Sequence, residues 1–197
     1  VFYVLENVYE PAEDTFLLAE ILLVNKNDFV LDMGTGCGIL GVLAAEKARS
    51  VIAIDINPYA VRCAKMNAKL NKIERKMNVL RGDLFQPMRE GEKFDVIFFN
   101  APYLPSGSEE EKTWIEKAWA GGHGGRDLID RFLLKAPNYL KVNGKILLVQ
   151  STLSDVDKTL QILEKAGLQA KVIAEEKVAF ETIVLIEARF RKHKRSI

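Results

Sequence analysis

Cysteine and histidine are scarce in this sequence. Its 197 residues include two cysteines, Cys37 and Cys63, and two histidines, which share no spacing typical of metal ligands. Isolated cysteines cannot build a disulfide framework or a zinc site, so we expect no metal. Long apolar runs are also lacking, since none approaches the roughly 18 residues of a membrane-spanning helix, and the first residues carry no secretion signal. We therefore expect a soluble protein of the cytoplasm.

A clear excess of charge of either sign is lacking too. The 28 lysines and arginines nearly balance 27 acids, for a net charge of +1, which argues against a protein that binds polyanions through a global positive field. The 48% of hydrophobic residues and the length fit one globular domain over residues 1–197. One exception is a basic tail, residues 189–197, with five basic residues and no acid. We expect a solvated end, with docking onto RNA or an acidic partner as the alternative.

Apolar runs alternate with helical segments over the first half of the chain. Residues 39–48 and 58–71 are predicted helices, and an amphipathic helix is expected at 11–24, within an N-terminal segment 1–25. Continuous β-branched and aromatic runs are typical of strands buried on both faces of a parallel sheet. The predicted strands are 29–32, 51–55, 78–83 and 94–100. Alternation of this kind indicates a Rossmann-like α/β fold, with helices on both faces of the sheet.

The C-terminal part breaks this alternation. A strand at 145–150 precedes a helix at 154–166, for which Ser154 is the expected N-cap. The next two predicted strands, 168–175 and 180–189, are joined by only a few residues. So short a link cannot be a parallel crossover, so they should form an antiparallel hairpin. The sequence therefore predicts a mostly parallel sheet with one reversed strand near its end.

A glycine-rich loop follows the first predicted strand. It has the form Asp-x-Gly-x-Gly-x-Gly, from Asp32 through Gly34 and Gly36 to Gly38. The dinucleotide fingerprint places its third glycine one position later, where this chain has Ile39. The tighter spacing favours a ligand with no pyrophosphate to bind at the helix N-terminus. An acid at position 32 suits a ligand with an ammonium or sulfonium group.

Two further acids follow predicted strands. Asp55 ends the second strand, where a carboxylate can accept both hydroxyls of a ribose. Asp83 ends the third, where its side chain and the amide of Leu84 could contact an adenine edge. Each aspartate alone could simply cap the next helix. Together with the glycine loop, they favour a nucleoside site at the carboxyl ends of the strands.

This set of residues resembles the class I S-adenosylmethionine-dependent methyltransferases, whose seven-stranded sheet also ends in a reversed strand. The resemblance implies S-adenosylmethionine as cofactor, with Asp32 and the three glycines beside its methionine part, Asp55 at the ribose, and Asp83 with Leu84 at the adenine. Further cofactor-binding residues that it implies are Tyr9, Pro11, Thr15, Ile56 and Asn100.

The predicted fourth strand ends in Asn100-Ala101-Pro102-Tyr103. This segment resembles the Asn-Pro-Pro-Tyr motif of methyltransferases that act on planar NH2 groups. The lone pair of such a nitrogen is delocalised, which makes it a poor nucleophile. Two acceptors would bind its hydrogens: the Asn100 side-chain oxygen and the carbonyl of residue 101. They would turn the lone pair of the nitrogen towards the methyl group. Tyr103 would pack on the flat group, and Pro102 would stiffen the turn. Ala101 departs from the motif and loses the fixed φ of proline.

Two other segments are similar to the HemK-like protein-glutamine methyltransferases, in particular to the short archaeal and eukaryotic branch: residues 8–15 and 118–126. The resemblance implies methylation of the glutamine in the Gly-Gly-Gln loop of class I translation termination factors, with a small zinc-binding activator subunit as partner. It also implies that Thr15 helps to close over the cofactor. We expect the insertion at 104–126 to act as a lid or substrate loop.

The catalytic motif leaves other acceptors open. An adenine N6 in DNA or RNA needs the same two acceptors and could enter after base flipping, although Glu109, Glu110 and Glu111 in the insertion would repel a nucleic-acid backbone. A lysine would gain from these acceptors only once deprotonated. A scaffold that binds the cofactor without transferring its methyl group is a further alternative, with Ala101 as its only support.

Overall fold

A computed structural model describes residues 1–107 and 113–191 of the chain. The described strands are β1 (Phe29–Met33), β2 (Ser50–Asp55), β3 (Met77–Arg81), β4 (Phe94–Asn100), β5 (Leu140–Ser151), β6 (Leu168–Lys177) and β7 (Thr182–Phe190). The described α-helices are α1 (Glu13–Ile21), α2 (Ile39–Lys47), α3 (Pro58–Leu70), α4 (Trp114–Trp119), α5 (Asp127–Lys135) and α6 (Val156–Lys165).

The seven strands form one sheet in the order β3-β2-β1-β4-β5-β7-β6. Neighbouring strands from β3 through β5 are parallel, whereas β7 runs antiparallel to both β5 and β6. The Rossmann-like fold, the antiparallel C-terminal hairpin and the single reversed strand are therefore confirmed. The last two elements follow from the short link between β6 and β7, which leaves no room for a crossover.

Apolar side chains of the central strands form the core. Phe94, Phe98, Leu31 and Ile97 are fully buried, because β1 and β4 lie in the middle of the sheet with helices packed around it. Strand β1 pairs with β2 on one side and with β4 on the other. The chain builds the sheet outward in one direction from β1 to β3 and in the other from β4 onward, so the strand order reverses between β1 and β4. At such a reversal a crevice opens at the carboxyl ends of the strands, where ligands bind in open α/β sheets.

The cap of one helix differs from the sequence-based expectation. The N-cap of α6 is Asp155, whose carboxylate accepts the N–H of Lys158 at 3.0 Å. Ser154 was the expected cap, but it lies in a 3₁₀ turn and its hydroxyl donates to the Ser151 carbonyl at 2.8 Å. Arg189, which ends the predicted strand 180–189 and begins the predicted basic tail, belongs to β7 and pairs with Glu187 at 2.9 Å. The rest of that tail from residue 192, and the acids at 109–111, lie outside the described residues.

The insertion after β4 folds back on itself. The N–H of Leu104 donates to the Trp119 carbonyl at 3.0 Å, and the N–H of Gly121 donates to the Leu104 carbonyl at 2.8 Å. Between these contacts, α4 begins with a capping box between Thr113 and Glu116. The base of the insertion is therefore closed by main-chain hydrogen bonds.

Within residues 1–107 and 113–191, none of the helices combines the length and the apolar character that crossing a bilayer requires. The same residues contain no group of three or more histidines, cysteines or acids arranged to hold a metal ion.

Candidate active site

A cavity of about 1150 Å³ lies at the carboxyl ends of β1, β2 and β4. Its wall comes from the glycine loop, the ends of these strands, the N-terminal segment, the 104–126 insertion and the turn between β6 and β7. The sequence-predicted residues that line it are Tyr9, Pro11, Thr15, Gly34, Gly36, Asp55, Ile56, Asp83, Leu84, Asn100, Ala101, Pro102 and Tyr103. Asp32 and Gly38 lie outside this lining.

The glycine loop needs glycine for two different reasons. At Gly34, where φ is +64°, an added Cβ would come within 2.9 Å of the Phe99 ring, so the small residue permits close packing. At Gly36 an added Cβ would meet nothing within 4 Å, because this residue borders open space in the cavity, and glycine is favoured there by its positive φ of +55°. The loop thus packs against β4 at one glycine and offers its backbone to a ligand at the next.

Asp32 supports the loop from beneath. It is 1% exposed, and its Oδ2 accepts the hydroxyl of Thr35 at 2.6 Å. Helix α2 passes so close that a Cβ on Gly41 would stand 2.6 Å from Asp32 Oδ2. Burial raises the pKa of Asp32 to about 7; the Thr35 bond lowers it, and the charge of Asp55 raises it.

Asp55 ties the glycine loop to the end of β2. Its Oδ2 accepts the N–H of Gly36 and its Oδ1 accepts the N–H of Asn57, each at 2.9 Å. Burial raises the pKa of Asp55, and these hydrogen bonds oppose the rise. Because a carboxylate oxygen can accept more than one hydrogen bond, both oxygens can still bind ribose hydroxyls.

Asp83 is not free in the described structure. Arg131, from α5, contacts Asp83 Oδ2 at 2.5 Å, and the two side chains are 54% and 35% exposed. So exposed an ion pair contributes little to stability. The contact was not expected from the sequence, because Arg131 is 48 residues further along the chain.

A chain of hydrogen bonds fixes the orientation of the Asn100 amide. Asn100 Nδ2 donates to Thr15 Oγ1 at 3.2 Å, and Thr15 Oγ1 donates to Asp14 Oδ1 at 3.1 Å. Because the single hydroxyl proton of Thr15 is used on Asp14, Thr15 can only accept from Asn100. The amide oxygen, Asn100 Oδ1, is thereby left as the free end, and it is buried with no hydrogen-bond partner.

Asp14 is the centre of this network and was missed by the sequence analysis. It is buried, and its Oδ2 accepts the hydroxyls of Tyr9 at 3.0 Å and Tyr103 at 3.3 Å. The N–H of Thr15 donates to its Oδ1 at 2.5 Å. Burial raises the pKa values of both tyrosines, and the charge of Asp14 raises them further, so both stay neutral donors. The available signal was its position beside Thr15 in the motif at 8–15.

Glu181 is a second acid that the sequence analysis missed. It lies in the turn between β6 and β7 and lines the cavity. Its Oε2 is buried without a hydrogen-bond partner. Nothing in the sequence distinguishes this glutamate from the exposed Glu175 and Glu176 a few residues earlier.

The fold and the cavity define a methyltransferase of the Rossmann-like class: a seven-stranded sheet with one reversed strand, and a glycine loop and an asparagine turn at the carboxyl ends of β1 and β4. The chain belongs to the methyltransferase small domain family, whose model matches residues 11–181. The resemblance inferred from the sequence is confirmed.

Three proteins similar to this chain are methyltransferases. A putative protein N5-glutamine methyltransferase of Methanocaldococcus jannaschii is 43% identical over 184 residues, 92% of this chain and 91% of the relative. The human methyltransferase HEMK2 is 32% identical over 92% of this chain and 89% of its own length. In the solved Mtq2–Trm112 complex of E. cuniculi, responsible for methylation of the translation termination factor eRF1, one chain is similar with a TM-score of 0.73 at 25% identity, over 94% of this chain and 99% of that one.

Proposed function

We propose that this chain transfers a methyl group from S-adenosylmethionine to the side-chain nitrogen (N5) of the glutamine in the Gly-Gly-Gln loop of a class I translation termination factor. The names of its relatives support this substrate. The observation that carries the proposal is the buried Asn100 Oδ1, an acceptor without a partner whose orientation is fixed through Thr15 and Asp14.

The residues of the cavity fit the cofactor. Gly36 leaves open space beside the loop, and Asp55 can accept ribose hydroxyls at the end of β2. Asp83 and Leu84 would hold the adenine, while Gly34 and Thr15 would border the methionine part. Asp32 would support the loop from beneath through its hydrogen bond with Thr35. When bound, S-adenosylmethionine supplies an electrophilic methyl group on a sulfonium.

Catalysis in this proposal depends on positioning and complementary dipoles. The glutamine NH2 group donates one hydrogen bond to Asn100 Oδ1 and one to the carbonyl of Ala101. These two bonds favour a pyramidal nitrogen with its lone pair towards the methyl group. Asp14 holds the hydroxyl of Tyr103, so that the tyrosine ring is fixed against the flat amide. No strong base is needed before methyl transfer. Pro102 stiffens the turn that carries these groups.

The partner and the place of action follow from the proposed substrate. Because the similar Mtq2 chain was solved with Trm112, we propose that this chain works with a small zinc-binding activator subunit of that kind. A translation factor as substrate places the reaction in the cytoplasm. The 104–126 insertion, whose Trp119 lines the cavity, would act as the lid or substrate loop above a closed base.

Transfer of a labelled methyl group tests the proposal. Intact termination factor, the same factor with its Gly-Gly-Gln glutamine changed to alanine, and adenine-containing DNA and RNA oligonucleotides are incubated with labelled cofactor and enzyme, with and without a Trm112-type subunit. We expect label only in the intact factor. Label only in the oligonucleotides would instead indicate an adenine methyltransferase, and cofactor binding without transfer to any acceptor would indicate a scaffold.

The same assay with Asn100→Ala tests the reacting centre. We expect the rate to fall by about 10²–10³, as when one preorganised polar contact to a reacting group is removed. Asn143→Ala is the matched control, because Asn143 is exposed and does not line the cavity. Full activity of the Asn100 variant would place the reacting centre elsewhere.

A further inference from the structure

Two side-chain oxygens are buried without a hydrogen-bond partner among the residues that the structure describes, and both residues line the same cavity: Asn100 Oδ1 and Glu181 Oε2. An unpartnered buried polar atom destabilises a protein, so such atoms are rare and call for an explanation. The proposed function supplies one for Asn100, which accepts a hydrogen of the substrate amide. Glu181 Oε2 has no part in that mechanism.

The main chain holds Glu181 in place. The N–H of Val178 donates to the Glu181 carbonyl at 3.0 Å, which closes the turn between β6 and β7. The next residue, Thr182, donates its N–H to Thr152 Oγ1 at 3.2 Å. Val178 and Ile183, on either side of this glutamate, also line the cavity. The carboxylate is therefore presented to the cavity from a backbone that is anchored on both sides.

Glu181 lies within electrostatic reach of the catalytic motif. Burial raises the pKa of Tyr103, and the charges of Asp14 and Glu181 raise it further. The two acids differ in their partners. Asp14 accepts hydrogen bonds from Tyr9, Thr15 and Tyr103, whereas Glu181 Oε2 accepts none. Of these two carboxylates, only that of Glu181 has a buried oxygen that still lacks a donor.

The chemistry of the proposed substrate limits what that donor can be. A glutamine side chain has two N–H hydrogens, and the proposed mechanism assigns them to Asn100 Oδ1 and to the Ala101 carbonyl. The further donor that a peptide substrate offers whatever its side chains is a main-chain N–H, which every residue except proline carries. A carboxylate that accepts such an N–H makes a short, charge-assisted hydrogen bond.

We propose that Glu181 Oε2 accepts a hydrogen bond from a main-chain N–H of the peptide segment that carries the acceptor glutamine. The inference rests on the proposed function and extends it, since it makes Glu181 a residue that selects a peptide. The same carboxylate disfavours nucleic acid, because the ring nitrogens of adenine are acceptors and the backbone phosphates are repelled by its negative charge. The acceptor that the catalytic motif leaves open is thus specified by a residue outside that motif.

Steady-state kinetics on Glu181→Ala and Glu181→Gln test this contact, with the chain assayed together with its Trm112-type subunit and with intact termination factor as substrate. We expect Glu181→Ala to raise the KM for the factor about tenfold, the effect of losing one hydrogen bond to a charged group, with kcat within about threefold of wild type. Glu181→Gln keeps an acceptor oxygen but loses the charge, so its KM should rise about threefold. The matched control, Glu176→Gln, changes an exposed acid paired with Ile183 across the same hairpin and should leave the KM unchanged.

Two further measurements separate this contact from other roles. Calorimetry should give the same Kd for S-adenosylmethionine in wild type and in Glu181→Ala, because a parallel loss of cofactor affinity would assign Glu181 to the cofactor and overturn the inference. The melting temperature of Glu181→Ala should equal or exceed that of wild type, since a buried oxygen without a partner is removed. If it falls instead, Glu181→Gln, which preserves the shape of the side chain, must still raise the KM.

The failure of this contact and the failure of the proposed function give different results. If wild type methylates the factor but the KM does not respond to Glu181→Ala, the contact is wrong and the proposed function stands. If wild type neither binds nor methylates the factor, both are wrong.

Discussion

The two halves of the cavity satisfy their polar groups in different ways. We name the halves by their proposed ligands. The cofactor half is formed by the glycine loop at 34–38 with Asp55 and Asp83, and the acceptor half by the motif at 100–103 with Asp14 and Glu181. In the cofactor half the protein itself supplies donors, since the main chain binds both oxygens of Asp55 and Arg131 binds Asp83. In the acceptor half, one oxygen on Asn100 and one on Glu181 have no partner.

This difference indicates two kinds of preparation for a ligand. A carboxylate held by backbone N–H groups keeps its shape whether or not a ligand is present, so the cofactor half is a preformed cradle. An unpartnered oxygen gains more from a ligand's donor, because the cost of burying it has already been met in the free protein. We therefore expect changes in the cofactor half to act mainly on affinity, and changes to the Asp14 network in the acceptor half to act mainly on turnover.

Asp32, which lies beneath the glycine loop of the cofactor half, gives the largest expected effect. Its pKa is raised to about 7 by burial, so the folded protein holds this proton more tightly than the unfolded chain, and stability is lost as pH rises from about 4 to about 7. The stability of Asp32→Asn relative to wild type should therefore increase by about 3 kcal/mol between pH 4.5 and pH 8. Urea unfolding at both pH values measures this.

The comparison between two pH values removes any constant cost of the new side chain. As an independent check, ¹³C NMR should show an aspartate signal that titrates near pH 7 in wild type and is missing in Asp32→Asn, whereas the signal of Asp55, whose pKa is also raised by burial, remains in both. If every aspartate titrates below pH 5, the hydrogen bonds around Asp32 offset its burial, and the predicted loss of stability on its ionisation is wrong.

Asp14→Ala should have the next largest effect, a fall in kcat of about 100-fold with a smaller change in cofactor affinity. The change frees the Thr15 hydroxyl, so the Asn100 amide is no longer held with its oxygen as acceptor, and it also releases Tyr103. Misplacement of reacting groups on this scale costs about 10²-fold. Single-turnover rates with saturating cofactor measure it, and Glu20→Ala, an exposed acid on the same helix, is the control. An effect on the Kd for the cofactor alone would assign Asp14 to the cofactor half instead.

Asp55→Ala should show the opposite pattern. Loss of the ribose acceptor and of the bond to Gly36 should weaken cofactor binding about 10- to 30-fold, while kcat at saturating cofactor stays within about threefold. Calorimetry for Kd and saturation kinetics for kcat measure the two quantities. Asp157→Ala, an exposed acid on α6, should change neither. A variant that binds the cofactor normally but has a low kcat would contradict the assignment of Asp55 to cofactor affinity.

The smallest expected effect is a gain. Ala101→Pro restores the fixed φ of the related motif and should raise kcat by about threefold, because less freedom remains to be lost at the acceptor carbonyl. The measurement is turnover at saturating substrate and cofactor. An unchanged or lower rate would count against the role given to the rigidity of this turn.

The sequence predicted the parts of this protein that depend on local pattern. The apolar runs at β1, β2 and β4 and the short link between β6 and β7 were sufficient for the sheet, because burial and chain length leave few alternatives. The glycine loop and the Asn100 turn were recognisable because backbone shape and a rare chemistry require particular residue types there.

What the sequence could not predict depends on which distant groups meet. Asp14 contacts Tyr103 across 89 positions, and no spacing rule connects them. Asp32 lies beneath the loop because α2 packs directly on it through Gly41, which only the tertiary structure determines. Ser154 was the wrong cap for α6, since the residue after it, with φ of +54°, offers its carboxylate to the helix instead. Glu181 matters only through an oxygen without a partner, a property that has no sequence pattern.

The reversed direction of β7 has an evolutionary consequence. In the parallel part of the sheet, the segments that follow the strands reach the crevice, and those after β1, β2 and β3 are the ones we propose to bind the cofactor. An antiparallel strand instead delivers the segment that precedes it, which here is the turn ending at Glu181. If Glu181 binds the substrate as proposed, mutations in that turn should change which macromolecule is accepted while binding of the methyl donor stays unchanged.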